Sequence, residues 1–96
     1  MTSKNDSQIC IITVTGADRV GIIAKLANTM AKANINIIDV NQKIMEDNFV
    51  MTMAVDTAKS TASIEQIKKR LDKVSREMNL NITIQDANIF KAMHRI

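Results

Sequence analysis

The sequence predicts an α+β domain in which two helices cover one face of a four-stranded antiparallel sheet. Three observations predict it: stretches that alternate between apolar and polar residues, two stretches whose apolar residues recur at helical spacing, and the order of these stretches along the chain. The 96 residues suffice for one domain with one core. We therefore expect a single domain over residues 8–96, preceded by a polar N-terminal tail over residues 1–7.

The first predicted elements are a strand and a helix. Residues 8–15 alternate and are rich in β-branched side chains, which favours a strand. A helix is expected from Ile22 to Ala33, with Asp18 as its N-cap and Asn34 ending it in place of glycine. Its apolar residues form one stripe, which contains Ile22, Ile23, Leu26, Ala27, Met30 and Ala31.

The middle of the chain is predicted to form a β-hairpin. An extended run over residues 35–45 is followed by a turn at residues 46–48 and by a second strand at residues 49–55. In that second strand the alternating apolar side chains are Phe49, Met51, Met53 and Val55. We expect the run over residues 35–45 at an edge of the sheet, where unpaired backbone groups favour pairing with a second copy of the chain.

The second half is predicted to form a helix, a strand and a short C-terminal helix. Ser63 and Gln66 match a capping box, and the helix after it has apolar residues at Ile64, Ile67, Leu71, Val74 and Met78. Residues 80–85 alternate as in a strand with one polar face, and residues 87–96 carry Ile89, Phe90 and Met93 on one side of a short helix. The order β-α-β-β-α-β with a helical tail is that of the ferredoxin-like fold.

The two glycines of the chain, Gly16 and Gly21, bracket the corner between the first strand and the first helix. Glycine permits close backbone approach, and the first turn of a helix presents unpaired N–H groups to an anion. Asp18 and Arg19 add one charge of each sign. This corner suits a zwitterion such as an amino acid, or a phosphate; the alternative is that the glycines serve the geometry of the turn alone.

Charge and composition narrow the functional class. The formal net charge is +3, but the basic residues of the second helix alternate with acidic ones, as on a solvated helix surface. With no Trp, no Tyr and two Phe, the chain offers no stacking platform for nucleic-acid bases. No apolar run approaches the roughly 20 residues of a membrane helix, and the N-terminus has no signal-peptide pattern, so we expect a cytoplasmic protein.

The residues that could carry chemistry have structural explanations. One Cys and one His are too few for a metal site, so no cofactor or metal is expected. Cys10 alternates with Ile12 and is predicted to be a buried small hydrophobe, and His94 a solvated surface residue. Two aspartates at strand ends are predicted to cap turns, namely Asp56 and Asp86.

The segment VTGADRVGII at residues 14–23, followed by NINIID at residues 34–39 and by Gln42, resembles the ACT domain. Residues 89–96 are similar to the C-terminal segment of small stand-alone ACT proteins. The turn is also similar to that of the glycine-cleavage-system regulator and of the N-terminal domain of formyltetrahydrofolate deformylase. The resemblance implies the same ferredoxin-like fold, and a side-by-side pair of domains with an amino acid at their interface.

The resemblance also implies the residues of the site. The turn would contribute Asp18, Arg19, Gly21 and Ile22, and the start of the partner's second strand would contribute Asn36, Ile37 and Asp39. Val20 stands where many amino-acid sensors have proline.

The function predicted from these observations is that of a regulatory, amino-acid-binding homodimer without catalysis, which acts on a target enzyme or regulator. One alternative is a dimerisation or protein-interaction module that binds no ligand. Another is an acylphosphatase-like hydrolase, in which Arg19 would hold phosphate; the wider glycine-rich loop of such an enzyme is missing. The first strand supports the dimer because it is apolar on both faces, with Ile9 and Ile11 opposite Cys10 and Ile12.

Overall fold

The computed structural model describes residues 7–17 and 20–93, except for the side chain of Met93. It has the predicted order of elements, which are β1 (Ile9–Ala17), α1 (Ile22–Lys32), β2 (Asn36–Met45), β3 (Asn48–Asp56), α2 (Ile64–Met78), β4 (Leu80–Asp86) and α3 (Ala87–Met93). The four strands form one antiparallel sheet in the order β2-β3-β1-β4. The predicted ferredoxin-like fold with a short C-terminal helix is thereby confirmed.

The core lies between the sheet and α1 and α2. Every second residue of β1 and β3 is buried there, and antiparallel pairing sets these residues side by side, so that Cys10 pairs with Val55 and Ile12 with Met53. Strict alternation on two adjacent central strands gives the sheet one apolar face that the helices can cover. On the other face, Ile9 and Ile11 are half-buried.

Helix α1 differs from the prediction at its start and along its stripe. Its N-cap is Gly21 rather than Asp18, which lies outside the described residues. The buried positions are Ile22, Leu26 and Met30, whereas Ile23 and Ala31 are exposed. The stripe is narrower than predicted because the helix packs on the sheet through residues spaced by four, with Ile23 and Ala31 to the side.

The end of α1 follows the prediction for Asn34. This residue has a positive φ of 58°. The backbone N–H of Asn34 donates to the carbonyl of Ala31 at 3.0 Å, and the N–H of Ile35 donates to the carbonyl of Met30 at 3.0 Å. This pair of hydrogen bonds is the Schellman arrangement. The Asn34 amide also donates to the carbonyl of Lys59 at 2.9 Å and so ties this end to the loop before α2.

The hairpin of β2 and β3 turns over two residues rather than three. Glu46 and Asp47 both have positive φ, 49° and 69°, and Asn48 already pairs with Met45. Two central residues with positive φ define a type I′ turn, whose twist matches that of the strands. Near the start of β2, the register of its pairing with β3 shifts between Ile37 and Asp39.

The capping box at the start of α2 is confirmed. The Gln66 N–H donates to Ser63 Oγ at 3.2 Å, and the Ser63 N–H donates to Gln66 Oε1 at 2.9 Å. Three of the five predicted apolar positions are buried, namely Ile67, Leu71 and Val74. Met78 is half-buried, and Ile64 in the first turn is exposed.

Helix α3 follows β4 directly and lies against β1 and β4. Asp86 Oδ1 accepts the N–H of Asn88 at 2.8 Å at this junction. Phe90 is half-buried, but Ile89 is exposed, so the predicted apolar edge is only partly covered within one chain. His94 lies outside the described residues.

Candidate functional site

The two glycines of the strand-to-helix corner serve different purposes. At Gly16, which has a φ of +156°, an added Cβ would stand 2.7 Å from Leu80 Cδ2 and 3.3 Å from the carbonyl oxygen of Asn79. The added Cβ would overlap the end of the Leu80 side chain, which is buried and would have to move, and it would press on the backbone carbonyl of Asn79. The φ of Gly16 and the close packing of β1 against the start of β4 therefore both favour glycine at this position.

Gly21 faces open space. Its φ of 92° and ψ of 0° suit glycine, yet an added Cβ would have no atom within 4 Å. Its carbonyl accepts the N–H of Lys25 at 2.9 Å, which closes the first turn of α1. No side chain of the described residues caps this end, so among these residues the first N–H groups of the helix, at its positive dipole end, have no side-chain partner.

Two exposed apolar residues lie within two positions of Gly21 in the chain, and the sequence analysis did not assign them to the site. Val20 is 98% exposed and Ile23 is 42% exposed. The helical spacing placed Ile23 in the core stripe, and Val20 stood out only as a replacement for proline. By contrast Ile22 is buried, so this predicted site residue offers a ligand its backbone N–H rather than its side chain. Asp18 and Arg19 lie outside the described residues.

The other predicted site residues lie at the opposite end of the sheet. Ala17, the last residue of β1, pairs with Asn48 of β3, whereas Asn36, the first residue of β2, pairs with Asp56. These partners are eight residues apart along β3, and at 3.4 Å per residue that is about 27 Å. A single chain therefore does not bring the corner and the start of β2 together.

The register of β2 also assigns its residues to faces. Ile37 pairs with the buried Val55 and so lies on the helix-covered face, where it is half-buried. Asp39 pairs with Ala54 and lies on the helix-free face; its Oδ1 accepts the N–H of Val40 at 3.0 Å. Asn36 is exposed at the strand end. Of the three residues, Ile37 shares the face on which α1 begins.

Strand β2 is an edge strand with an apolar surface. It pairs with β3 on one side, and the sheet order places no described strand on its other side. The exposed apolar side chains of this strand are Ile38, Val40, Ile44 and Met45. The unpaired backbone groups of an edge strand with exposed apolar side chains can pair with another strand.

The titratable groups of the core and the turns have structural roles, as predicted. Burial raises the pKa of the Cys10 thiol, an effect that a hydrogen bond with Thr57 partly offsets, so the thiol stays protonated at neutral pH. Asp56 Oδ1 accepts the N–H groups of Gln8 and Ala58, each at 3.0 Å, and these bonds lower the pKa of its carboxyl. Asp56 thus fixes the turn after β3.

Within residues 7–17 and 20–93, no three His, Cys, Asp or Glu side chains cluster as a metal site would require. No helix in the same part of the chain has the length and apolar character needed to cross a membrane.

Comparison with known proteins gives consistent results. The family model of the ACT domain matches residues 8–85. A UPF0237 protein of Methanococcus maripaludis is 42% identical over 86 residues, which are 90% of this chain and 96% of the relative. An ACT domain protein from Streptococcus pneumoniae has a TM-score of 0.75 and 28% identity, covering 88% of this chain and 96% of that one.

The fold is shared with part of a larger enzyme. A formyltetrahydrofolate deformylase from Pseudomonas syringae has a TM-score of 0.76 at 20% identity, over 82% of this chain and 27% of that one. The family model covers most of the present chain, and the UPF0237 relative is matched along nearly its whole length. The chain belongs to the ACT domain family.

Proposed function

We propose that this protein is a regulatory homodimer that binds an amino acid between its two ACT domains. The observation that carries the proposal is the separation of the two halves of the site. The open corner at Gly21 and the start of β2 at Asn36 lie at opposite ends of the sheet. Antiparallel pairing of β2 with the partner's β2 would bring the partner's Asn36 to the end of the sheet where the corner lies, so the dimer would complete the site.

The exposed surface of β2 supports this assembly. A twofold pair of β2 strands would join two four-stranded sheets into one continuous sheet and satisfy the edge backbone groups. It would also bury Val40 and Ile44, which lie on the helix-covered face yet are exposed in one chain. Burying apolar area stabilises association by about 25 cal/mol per Å² before the entropic cost of pairing is subtracted.

The chemistry of the corner supports an amino-acid ligand. The first N–H groups of α1 receive the carboxylate, because they have no partner within the helix. Gly21 leaves room for the approach, since nothing stands within 4 Å of an added Cβ. Asp18, or the partner's Asn36 at the exposed end of its strand, accepts the ammonium, and Arg19 balances the charge of Asp18. The partner's Asp39 would lie on the helix-free face of a continuous sheet, whereas the partner's Ile37 would share the face on which α1 begins. Val20 and Ile23 contact an apolar ligand side chain.

The protein transmits ligand binding to a target enzyme or regulator and has no catalytic role of its own. We place this regulatory role in the cytoplasm, in keeping with the expectation from the sequence. The second candidate is a dimerisation module that binds no ligand. The exposed β2 edge favours this second candidate equally, because strand pairing alone would cover it. Ligand binding therefore separates the two.

The test is calorimetric titration of the full chain with each of the twenty amino acids, alongside analytical ultracentrifugation. We expect at least one amino acid to bind to a dimer. The Gly21→Asn variant is then the sharpest probe: asparagine tolerates positive φ, and its side chain would fill the open space. It should keep the fold and the dimer while weakening binding at least about tenfold.

Replacement of Gly21 by valine should abolish binding too, but it adds backbone strain. The matched control is Asn34→Gly, which relaxes the other positive-φ end of α1 and should leave binding unchanged. If no amino acid binds the wild-type dimer, the dimerisation module is the correct description. A monomer at micromolar concentration would contradict both candidates.

A further inference from the structure

The groove between α1 and α2 is lined by both helices at the same spacing. Each helix contributes residues at i, i+3, i+4 and i+7, which form one face of a helix: Lys25, Asn28, Thr29 and Lys32 from α1, and Arg70, Lys73, Val74 and Glu77 from α2. The groove has a volume of about 280 Å³. Val74 is buried beneath it, so the charged and polar side chains form the walls.

The charges in this groove are unbalanced. Glu77 Oε1 lies 3.4 Å from Lys25 Nζ, and this ion pair closes one end. The other cations of the groove are Lys32, Arg70 and Lys73, and none of them forms an ion pair with a carboxylate in the described part of the chain. Lys32 lies in the last turn of α1, where the negative end of the helix dipole stabilises its charge.

The shape and lining of the groove indicate the anion that it fits. A stripe of eight residues along a helix is about 11 Å long, which matches two or three acidic side chains spaced along a peptide. Asn28 and Thr29 provide an amide and a hydroxyl between the cations. No aromatic side chain lines the groove, so a nucleobase has nothing to stack on.

We propose that the groove between α1 and α2 docks an acidic segment of a partner protein, whose carboxylates pair with Lys32, Arg70 and Lys73. This inference goes beyond the amino-acid site and does not require it. Lys25, at one end of the groove, lies in the first turn of α1 and its N–H donates to the Gly21 carbonyl, whereas Lys32 lies eleven residues after Gly21, about 16 Å along the helix. A dimer paired through β2 would contain two such grooves, one in each chain.

The test is fluorescence anisotropy with a labelled short peptide rich in Asp and Glu, at low and at high salt, with a peptide of matching length in which Gln and Asn replace the acids. The groove variant carries Lys32→Gln, Arg70→Gln and Lys73→Gln. The matched variant carries Lys59→Gln, Lys68→Gln and Lys91→Gln, which remove the same charge from exposed sites outside the groove. Circular dichroism melts establish that both variants are folded.

We expect the acidic peptide to bind the wild type at low salt and to lose affinity at high salt. The groove variant should bind at least about tenfold more weakly, and the matched variant should stay within about threefold of the wild type. An equal loss in both variants would show that net charge alone attracts the peptide and would overturn the proposal. So would absence of binding to the wild type, or tighter binding of a single-stranded RNA of equal charge.

Discussion

Strands β2 and β3 belong to one hairpin and have nearly equal length, yet their side chains are buried very differently. In β3, Phe49, Met51, Met53 and Val55 are buried. In β2, Ile37 is half-buried and all nine remaining residues are exposed. The difference lies in position rather than in the strands' ability to form. Strand β3 has a neighbour on both sides, and its buried side chains belong to the same core cluster as those of α1 and α2, while β2 lies at the edge. This edge, with its exposed apolar side chains, is the surface on which we propose that a second chain pairs.

The largest expected effect comes from a matched pair of substitutions across the hairpin. Met53 and Val40 are cross-strand partners on the same face, with 1% and 40% of their surface exposed. Met53→Ala removes core contacts and leaves a cavity, so we expect a loss of about 2–5 kcal/mol in the free energy of unfolding. Val40→Ala should cost less than about 1 kcal/mol in the same urea titration at low protein concentration.

The two effects need not differ if β2 is fully buried by a partner even at the lowest concentration used. Repeating the Val40→Ala titration over a range of protein concentrations separates the cases, because dimer stability depends on concentration and the stability of a monomer does not. Equal losses at all concentrations would contradict the view that β3 belongs to the core and β2 to an interface.

The second effect concerns the two edges of the sheet. Ile44 on β2 is 61% exposed, and Asn81 on the opposite edge strand β4 is exposed as well. Ile44→Lys places a charge where we propose the partner strand to lie, so the dimer should weaken at least about tenfold. Asn81→Lys introduces the same charge at the other edge and should leave the dimer unchanged. Sedimentation velocity measures both; dissociation by Asn81→Lys but not by Ile44→Lys would assign the interface to β4.

The contrast between β2 and β3 also shows what could be predicted from sequence. The alternation of β3 and the capping box at Ser63 are local patterns, and the structure confirms both. The exposure of β2 could not be predicted in this way. The register shift between Ile37 and Asp39 interrupts the alternation of its side chains. Its exposure also depends on the lack of a second neighbouring strand among the described residues, which is a property of the sheet and not of the β2 sequence.

Only part of the candidate site could likewise be predicted from the sequence. The glycine corner stands out in the sequence, but the structure is needed to separate Gly16, which packs against Leu80, from Gly21, which faces open space. Asp and Gly both occur at N-caps, so composition could not distinguish Asp18 from Gly21. The large distance between the corner and Asn36 depends on strand order, which no local pattern encodes.

The smallest effect is a dependence of stability on pH at the end of the hairpin where β2 begins. Asp56, the last residue of β3, pairs with Asn36, and its carboxylate accepts the N–H groups of Gln8 and Ala58. These bonds lower its pKa in the folded protein, so the ionised form favours folding. The contribution is complete above the unfolded-state pKa of about 3.9 and disappears as the pH falls through the lower folded-state pKa.

We therefore expect Asp56→Asn to lower the melting temperature slightly near neutral pH, and the difference from the wild type to shrink as the pH falls below about 4. The effect is small because water screens the exposed carboxylate. The matched control is Asp47→Asn in the two-residue turn at the other end of the hairpin, which removes the same charge. A difference for Asp56→Asn that stays constant from neutral to acidic pH would mean that its role is one of shape rather than charge. In that case the start of β2 is held by the geometry of the turn alone, whatever the ionisation of Asp56.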